Sequence, residues 1–182
     1  MKRGALCLLM MVLLLTGCSF GADRAGVDDF QKSAAQAQSI SFTADVRAEF
    51  DDKTENYTFK FQKSGGEAVV EVVKPEILAG IKAHIKDGGS TLEYDGASLD
   101  TGGLGDSGLT PVTALPELMR AAAQGHIDSV WREGGSVAAQ ITPDDAITAT
   151  FWFDGGMKPY HAEIQSSGKV LVYCDIIDYK SS

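Results

Sequence analysis

Ile40-Ser41-Phe42-Thr43-Ala44-Asp45-Val46-Arg47-Ala48-Glu49-Phe50 alternates apolar and polar residues without a break. Successive side chains of a strand point to opposite faces, so this stretch predicts a long strand with one buried face. Asp51-Asp52-Lys53 turns the chain, and Tyr57, Phe59 and Phe61 repeat the alternation against Thr58, Lys60 and Gln62. Gly65-Gly66 makes the next turn. Glu67–Val73 predicts a third strand, which Pro75 ends. Ile81, Ala83 and Ile85 alternate with Lys82, His84 and Lys86, and Asp87-Gly88-Gly89 follows. Leu92 and Tyr94 mark a further short strand before the hairpin turn Asp95-Gly96.

After an irregular, Gly-rich centre at Thr101–Pro111, the period of two returns at Ile127. Val130-Trp131, Val137–Ile141, Ile147–Phe153, Tyr160–Ile164 and Val170–Ile177 read as strands separated by short turns. Sequential strands with tight turns predict an antiparallel meander. Two helices are expected to cover it. Val27, Phe30, Ala34 and Ala37 recur at helical spacing after Asp28-Asp29, which suits the dipole-positive start of a helix ending near Gln38. Leu115, Leu118, Met119 and Ala122 share one face of a second helix, with Pro116 in its first turn and Gly125 closing it.

The N-terminus carries a different message. Lys2 and Arg3 precede an almost wholly apolar run from Ala5 to Leu15, too short for the roughly 20 residues of a membrane span. Leu15-Thr16-Gly17-Cys18 resembles the lipobox of bacterial lipoproteins. The resemblance implies removal of residues 1–17, a diacylglyceryl group on Cys18, and residence on the extracytoplasmic face of a cell membrane. Two acyl chains hold where one is marginal, at about 0.8 kcal/mol per buried CH₂. The expected organisation is a signal peptide (1–17), a lipidated cysteine and polar tether (18–26), and one domain (27–182).

Composition narrows the partners. Formal charge is −9 for the whole chain, and more negative once Lys2 and Arg3 leave. Nucleic acid and anionic headgroups would be repelled. With Cys18 acylated and Cys7 removed, Cys174 has no disulfide partner.

The order of parts resembles the LolA/LolB-like lipoprotein-localisation fold, on Phe42–Leu99. The stretches that carry it are Lys74-Pro75-Glu76-Ile77-Leu78-Ala79-Gly80-Ile81 and Asp87-Gly88-Gly89-Ser90-Thr91-Leu92-Glu93-Tyr94-Asp95-Gly96. That resemblance implies a mostly β (α+β) fold: a curved antiparallel unclosed barrel, covered by an N-terminal helix and an inserted lid helix. Its Gram-positive, GerS-type germination lipoproteins imply a non-enzymatic accessory role beside a cell-wall amidase in sporulation.

The residues leave two readings open. Phe42, Val46, Phe59, Phe61, Val70, Phe151 and Phe153 face the helices, and Leu118 and Met119 are the expected lid contacts. Together they describe either a filled core beneath an interaction surface or a cavity for lipid or another apolar ligand.

Catalytic patterns fail on context. Gly105-Asp106-Ser107-Gly108 matches a serine-protease nucleophile segment, yet His84 lies too near it, and a triad is a matter of geometry. Gly103-Leu104-Gly105-Asp106-Ser107-Gly108 fits GxGxxG without a surrounding βαβ unit, and Asp106 would repel a pyrophosphate. Gly102–Gly108 reads as a lid hinge or a partner-binding loop. His84, His126 and His161 lack metal-ligand spacing, so neither metal nor cofactor is expected. Lys82, His84 and Lys86 form a positive stripe, Asp51-Asp52 and Asp144-Asp145 form turns, and Cys174 is expected to be buried and inert.

Overall fold

A computed structural model describes residues 19–50, 52–86, 89–102, 109–144 and 146–182. Residues 1–18, with Cys18, lie outside them, as do Asp51, Asp87-Gly88, Gly103–Gly108 and Asp145.

Among the described residues, eleven antiparallel strands form one sheet, with two α-helices: α1 (Ser19–Gln36), β1 (Ser39–Phe50), β2 (Lys53–Ser64), β3 (Glu67–Lys74), β4 (Lys82–Lys86), β5 (Gly89–Tyr94), β6 (Ala97–Gly102), α2 (Pro111–Gln124), β7 (His126–Glu133), β8 (Ser136–Thr142), β9 (Thr148–Phe153), β10 (Pro159–Ser166) and β11 (Lys169–Ser181). A 3₁₀ turn, Glu76–Leu78, links β3 to β4. The spatial order is β6-β5-β4-β3-β2-β1-β11-β10-β9-β8-β7. The sheet is therefore two meanders sewn together along β1 and β11, with β6 and β7 as free edges. It is an unclosed half-barrel, and α2 lies in the connection between its two edges.

Register follows the alternation. Phe42 pairs with Phe61, and Phe61 with Val70. Val46 pairs with Cys174, and Ala162 with both Cys174 and Phe151. All of these are buried, and they form one core with the apolar faces of both helices.

Both helices depart from expectation at their starts. The polar residues expected as a tether are helical, because α1 begins at Ser19 rather than near Asp28. Asp23, Val27, Phe30 and Ala34 are buried at helical spacing, so the packed face extends a turn further than the apolar residues alone suggest. Asp23 is tolerated there because Arg132 of β7 grips both of its oxygens, at 2.7 and 2.6 Å.

Helix α2 starts at Pro111, which places Pro116 in its interior instead of its first turn. The start is fixed by a reciprocal cap: the Thr113 N–H donates to Thr110 Oγ1 at 3.2 Å, and the Thr110 N–H to Thr113 Oγ1 at 2.8 Å. Pro111, with no N–H to satisfy, follows the cap.

Candidate functional site

The inner face of the sheet is where a site can be built, because its apolar row outruns its cover. Val70 pairs with Ala83, Ala83 with Leu92, and Leu92 with Leu99, continuing the row that starts at Phe42. Ala83 is 2 % exposed, Leu92 is half-buried, and Leu99 is 63 % exposed. Asp95 and Gly96 both have positive φ (48° and 78°), the geometry of a two-residue hairpin turn that sets this register.

Tyr94, on the same face as Leu92, is 55 % exposed, and Ile77 at the rim is 86 % exposed. Leu78, Ile81, Leu109 and Val112 are half-buried and pack against the core, Leu109 just before α2 and Val112 in its first turn. Leu92, Leu99 and Tyr94, with Ile77 in the β3–β4 connection, make an apolar lip on the β4–β6 wing. Inside the lip, Ser90 Oγ lies 2.9 Å from Thr101 Oγ1 and donates to the Gly102 carbonyl at 2.7 Å, which ties β5 to β6.

The positions expected to line a cavity lie deeper. Phe42, Val46, Phe59, Phe61, Val70, Leu118, Met119, Phe151 and Phe153 are all buried, none more than 4 % exposed. They fill space against one another. The Phe42 and Phe61 rings stack at 4.8 Å, and Phe30 of α1 meets Phe153 edge-on at 4.9 Å and Phe151 at 5.7 Å. Sequence reasoning missed the lip, although the Asp95-Gly96 turn puts Leu92 opposite Leu99 and so carries the signal.

The outer face is polar and largely self-neutralised. His84 lies between two carboxylates, Nδ1 at 2.9 Å from Glu67 and Nε2 at 3.1 Å from Glu93, so the Lys82-His84-Lys86 stripe is not a free cationic band. His161 Nδ1 lies 2.6 Å from Asp175 and Nε2 3.5 Å from Glu163. Arg47 stacks over Tyr173, 4.0 Å from the ring centroid. A cleft of about 440 Å³ opens there, bordered by Asp45, Val46, Lys74 and His161 among others. A second, of about 520 Å³, lies between α1 and β11 beside Phe30 and Tyr179. The other expected cavity residues border neither.

Asp144 does more than turn the chain. It accepts from Arg120 of α2 at 2.7 Å and from the Ala146 N–H at 2.8 Å, and these bonds hold its carboxyl below the usual range. Burial pushes the Cys174 thiol far up, with Asp175 and Asp45 adding to it, as expected of an inert cysteine. Among the described residues, no group of His, Cys, Asp and Glu is placed to hold a metal ion.

No protein-family model matches the chain, and no curated protein matches it either. Solved structures do resemble it. A LolA superfamily protein of Nitrosomonas europaea is 12 % identical with a TM-score of 0.49, over 86 % of this chain and 92 % of its own. A putative outer membrane lipoprotein-sorting protein domain of Vibrio parahaemolyticus is 8 % identical (TM-score 0.48; 86 % and 91 % covered). LprF of Mycobacterium bovis is 12 % identical (TM-score 0.42; 87 % and 93 % covered).

Proposed function

We propose that this chain is a non-enzymatic lipoprotein of the cell envelope, held at the extracytoplasmic face of a membrane through Cys18. Its domain binds an apolar segment of a partner on the lip formed by Leu92, Leu99, Tyr94 and Ile77. The observation that carries the reading is the apolar row that leaves the core uncovered and ends 63 % exposed at Leu99. Exposed apolar surface grouped in this way favours a binding face over an accident of composition. The filled aromatic core favours a surface-binding role over an enclosed lipid carrier. A carrier would have to hold its ligand on the same lip, since the space beneath the helices is occupied by phenylalanine rings. A cell-wall amidase as partner, and a part in sporulation or germination, rest on the family resemblance alone.

Native mass spectrometry of residues 19–182, purified without detergent and followed by solvent extraction, tests this. A bare mass is expected, with an apolar peptide protecting β5 and β6 from hydrogen exchange. A stoichiometric lipid that survives purification in the wild type and is lost in Leu99→Asp would replace the interaction reading with the carrier.

A further inference from the structure

The chain enters the domain at one corner, and that corner gathers both of its tryptophans. Helix α1 starts at Ser19, and its first described buried side chain is Asp23, clamped to Arg132 near the end of β7. Four residues of helix rise about 6 Å. Ser19, which follows Cys18 in the sequence, therefore lies about 6 Å of helix rise from Asp23, with no free linker between Ser19 and Asp23. A turn further along, Gly26 is packed so tightly on Met157 that a Cβ there would stand 2.9 Å from the Met157 methyl.

Trp131 and Glu133 flank Arg132 in β7 and so point to the other side of the strand. Trp131 pairs with Ala138, and Ala138 with Trp152, so the two indoles flank an alanine that is fully covered on the outer face. Both indole N–H groups donate to the same Glu133 oxygen, at 3.4 Å from Trp131 and 3.0 Å from Trp152. Tyr160 joins them, donating to Ser136 Oγ at 3.1 Å, and is 43 % exposed. The β7–β8 turn beyond them is Gly134-Gly135, which has no side chain to hold another surface off.

We infer that this corner rests on the bilayer that carries the anchor, with Trp131, Trp152 and Tyr160 at headgroup level. The inference relies on acylation of Cys18. Trp and Tyr are the side chains that favour a membrane–water boundary, each offering an apolar body and a polar tip. Charge opposes the contact little. Arg132 offsets Asp23 and Arg24 offsets Asp28, while Lys158 shares the β9–β10 turn with Asp154, to which its backbone N–H donates at 2.9 Å, and Glu133 is held by the two indoles. These groups differ by a single negative charge, which suits a zwitterionic lipid surface. The lip formed by Leu99 and Ile77 lies on the opposite meander and is left free for a partner.

Trp131 and Trp152 are the only tryptophans in the sequence, so intrinsic fluorescence reports on this corner alone. The full, acylated chain is reconstituted in phosphatidylcholine vesicles with phosphatidylcholine brominated at shallow or deep acyl positions. Shallow bromines are expected to remove about half the emission and deep ones much less, with iodide quenching weakened to match. Inserting ten Gly/Ser residues between Cys18 and Ser19 is expected to reverse both effects while leaving the protein on the vesicles. An acylated protein that floats with vesicles, yet whose tryptophans ignore bromolipid and stay open to iodide, would overturn the corner alone. So would an insertion variant that behaves as the wild type. A mass without acyl groups would overturn the lipidation itself.

Discussion

Gly125 lies directly under Ile141: a Cβ on it would stand 2.5 Å from Ile141 Cγ2 and 2.7 Å from the Ala121 carbonyl oxygen. Its backbone is extended (φ −71°, ψ 159°), so this glycine is required for space, not for a left-handed turn. Gly125→Ala should destabilise the domain by about 1–3 kcal/mol through overpacking, measured by urea denaturation. A neutral result would show that α2 can lift from β8.

The apolar lip and the core predict opposite responses. Leu118 is fully buried, so Leu118→Ala should cost about 2–5 kcal/mol. Leu99→Asp, on an exposed edge strand, should change stability by less than about 0.5 kcal/mol while weakening capture of apolar peptide. A large stability loss at Leu99 would mean that the lip is covered in solution.

Alternation made nearly every strand legible, because each has one buried face, and it also placed Phe42, Phe61 and Val70 on that face. The helix starts were less legible. Nothing in Ser19–Arg24 is periodic and apolar, and Asp23 gains its place from Arg132, 109 residues later. At α2, Thr110, Pro111 and Thr113 spell out the start, but the periodic apolar face begins only at Leu115. The lip was hidden for another reason. Alternation tells which face a residue joins, but not where the helices stop covering that face.

The Asp23–Arg132 pair makes a prediction about helix α1. Asp23→Ala leaves Arg132 with solvent in place of a carboxylate, while Arg132→Gln leaves Asp23 buried without a cation. Both should lower Tm by a few degrees, and the double variant should be no worse than Arg132→Gln. Hydrogen exchange should rise in the first turns of α1 and little elsewhere. Additive losses would show that the two residues act separately.

Tyr57 offers a pH test. Its hydroxyl donates to Glu55 at 2.6 Å, and this bond, then burial and the carboxylate charge, push the phenol from 10.0 up to about 12. The raised value favours the protonated form in the folded state. Stability from this bond is thus whole below pH 10 and disappears as pH rises to about 12. Ultraviolet titration should show Tyr57 and Tyr179, whose phenol burial also raises, as late tyrosines, and Glu55→Gln should bring Tyr57 alone back toward the others.

Cys174 should stay unlabelled by maleimide in the native domain and react at once in denaturant, since it is fully buried and its thiolate is suppressed. Labelling at the rate of a free thiol would mean that β11 detaches readily.

The seam between β1 and β11 has a consequence for how the molecule comes into being. Ser39 and Ser182 exchange backbone hydrogen bonds at 3.0 Å, so β11, which follows β1–β10 along the chain, occupies the middle of the sheet. Until it arrives, β1 has only β2 beside it, and the β7–β10 meander has nothing to join. The nascent chain therefore has no complete core to collapse onto. The two meanders share one core only when β11 pairs with both β1 and β10, a non-local step of the slow-folding kind.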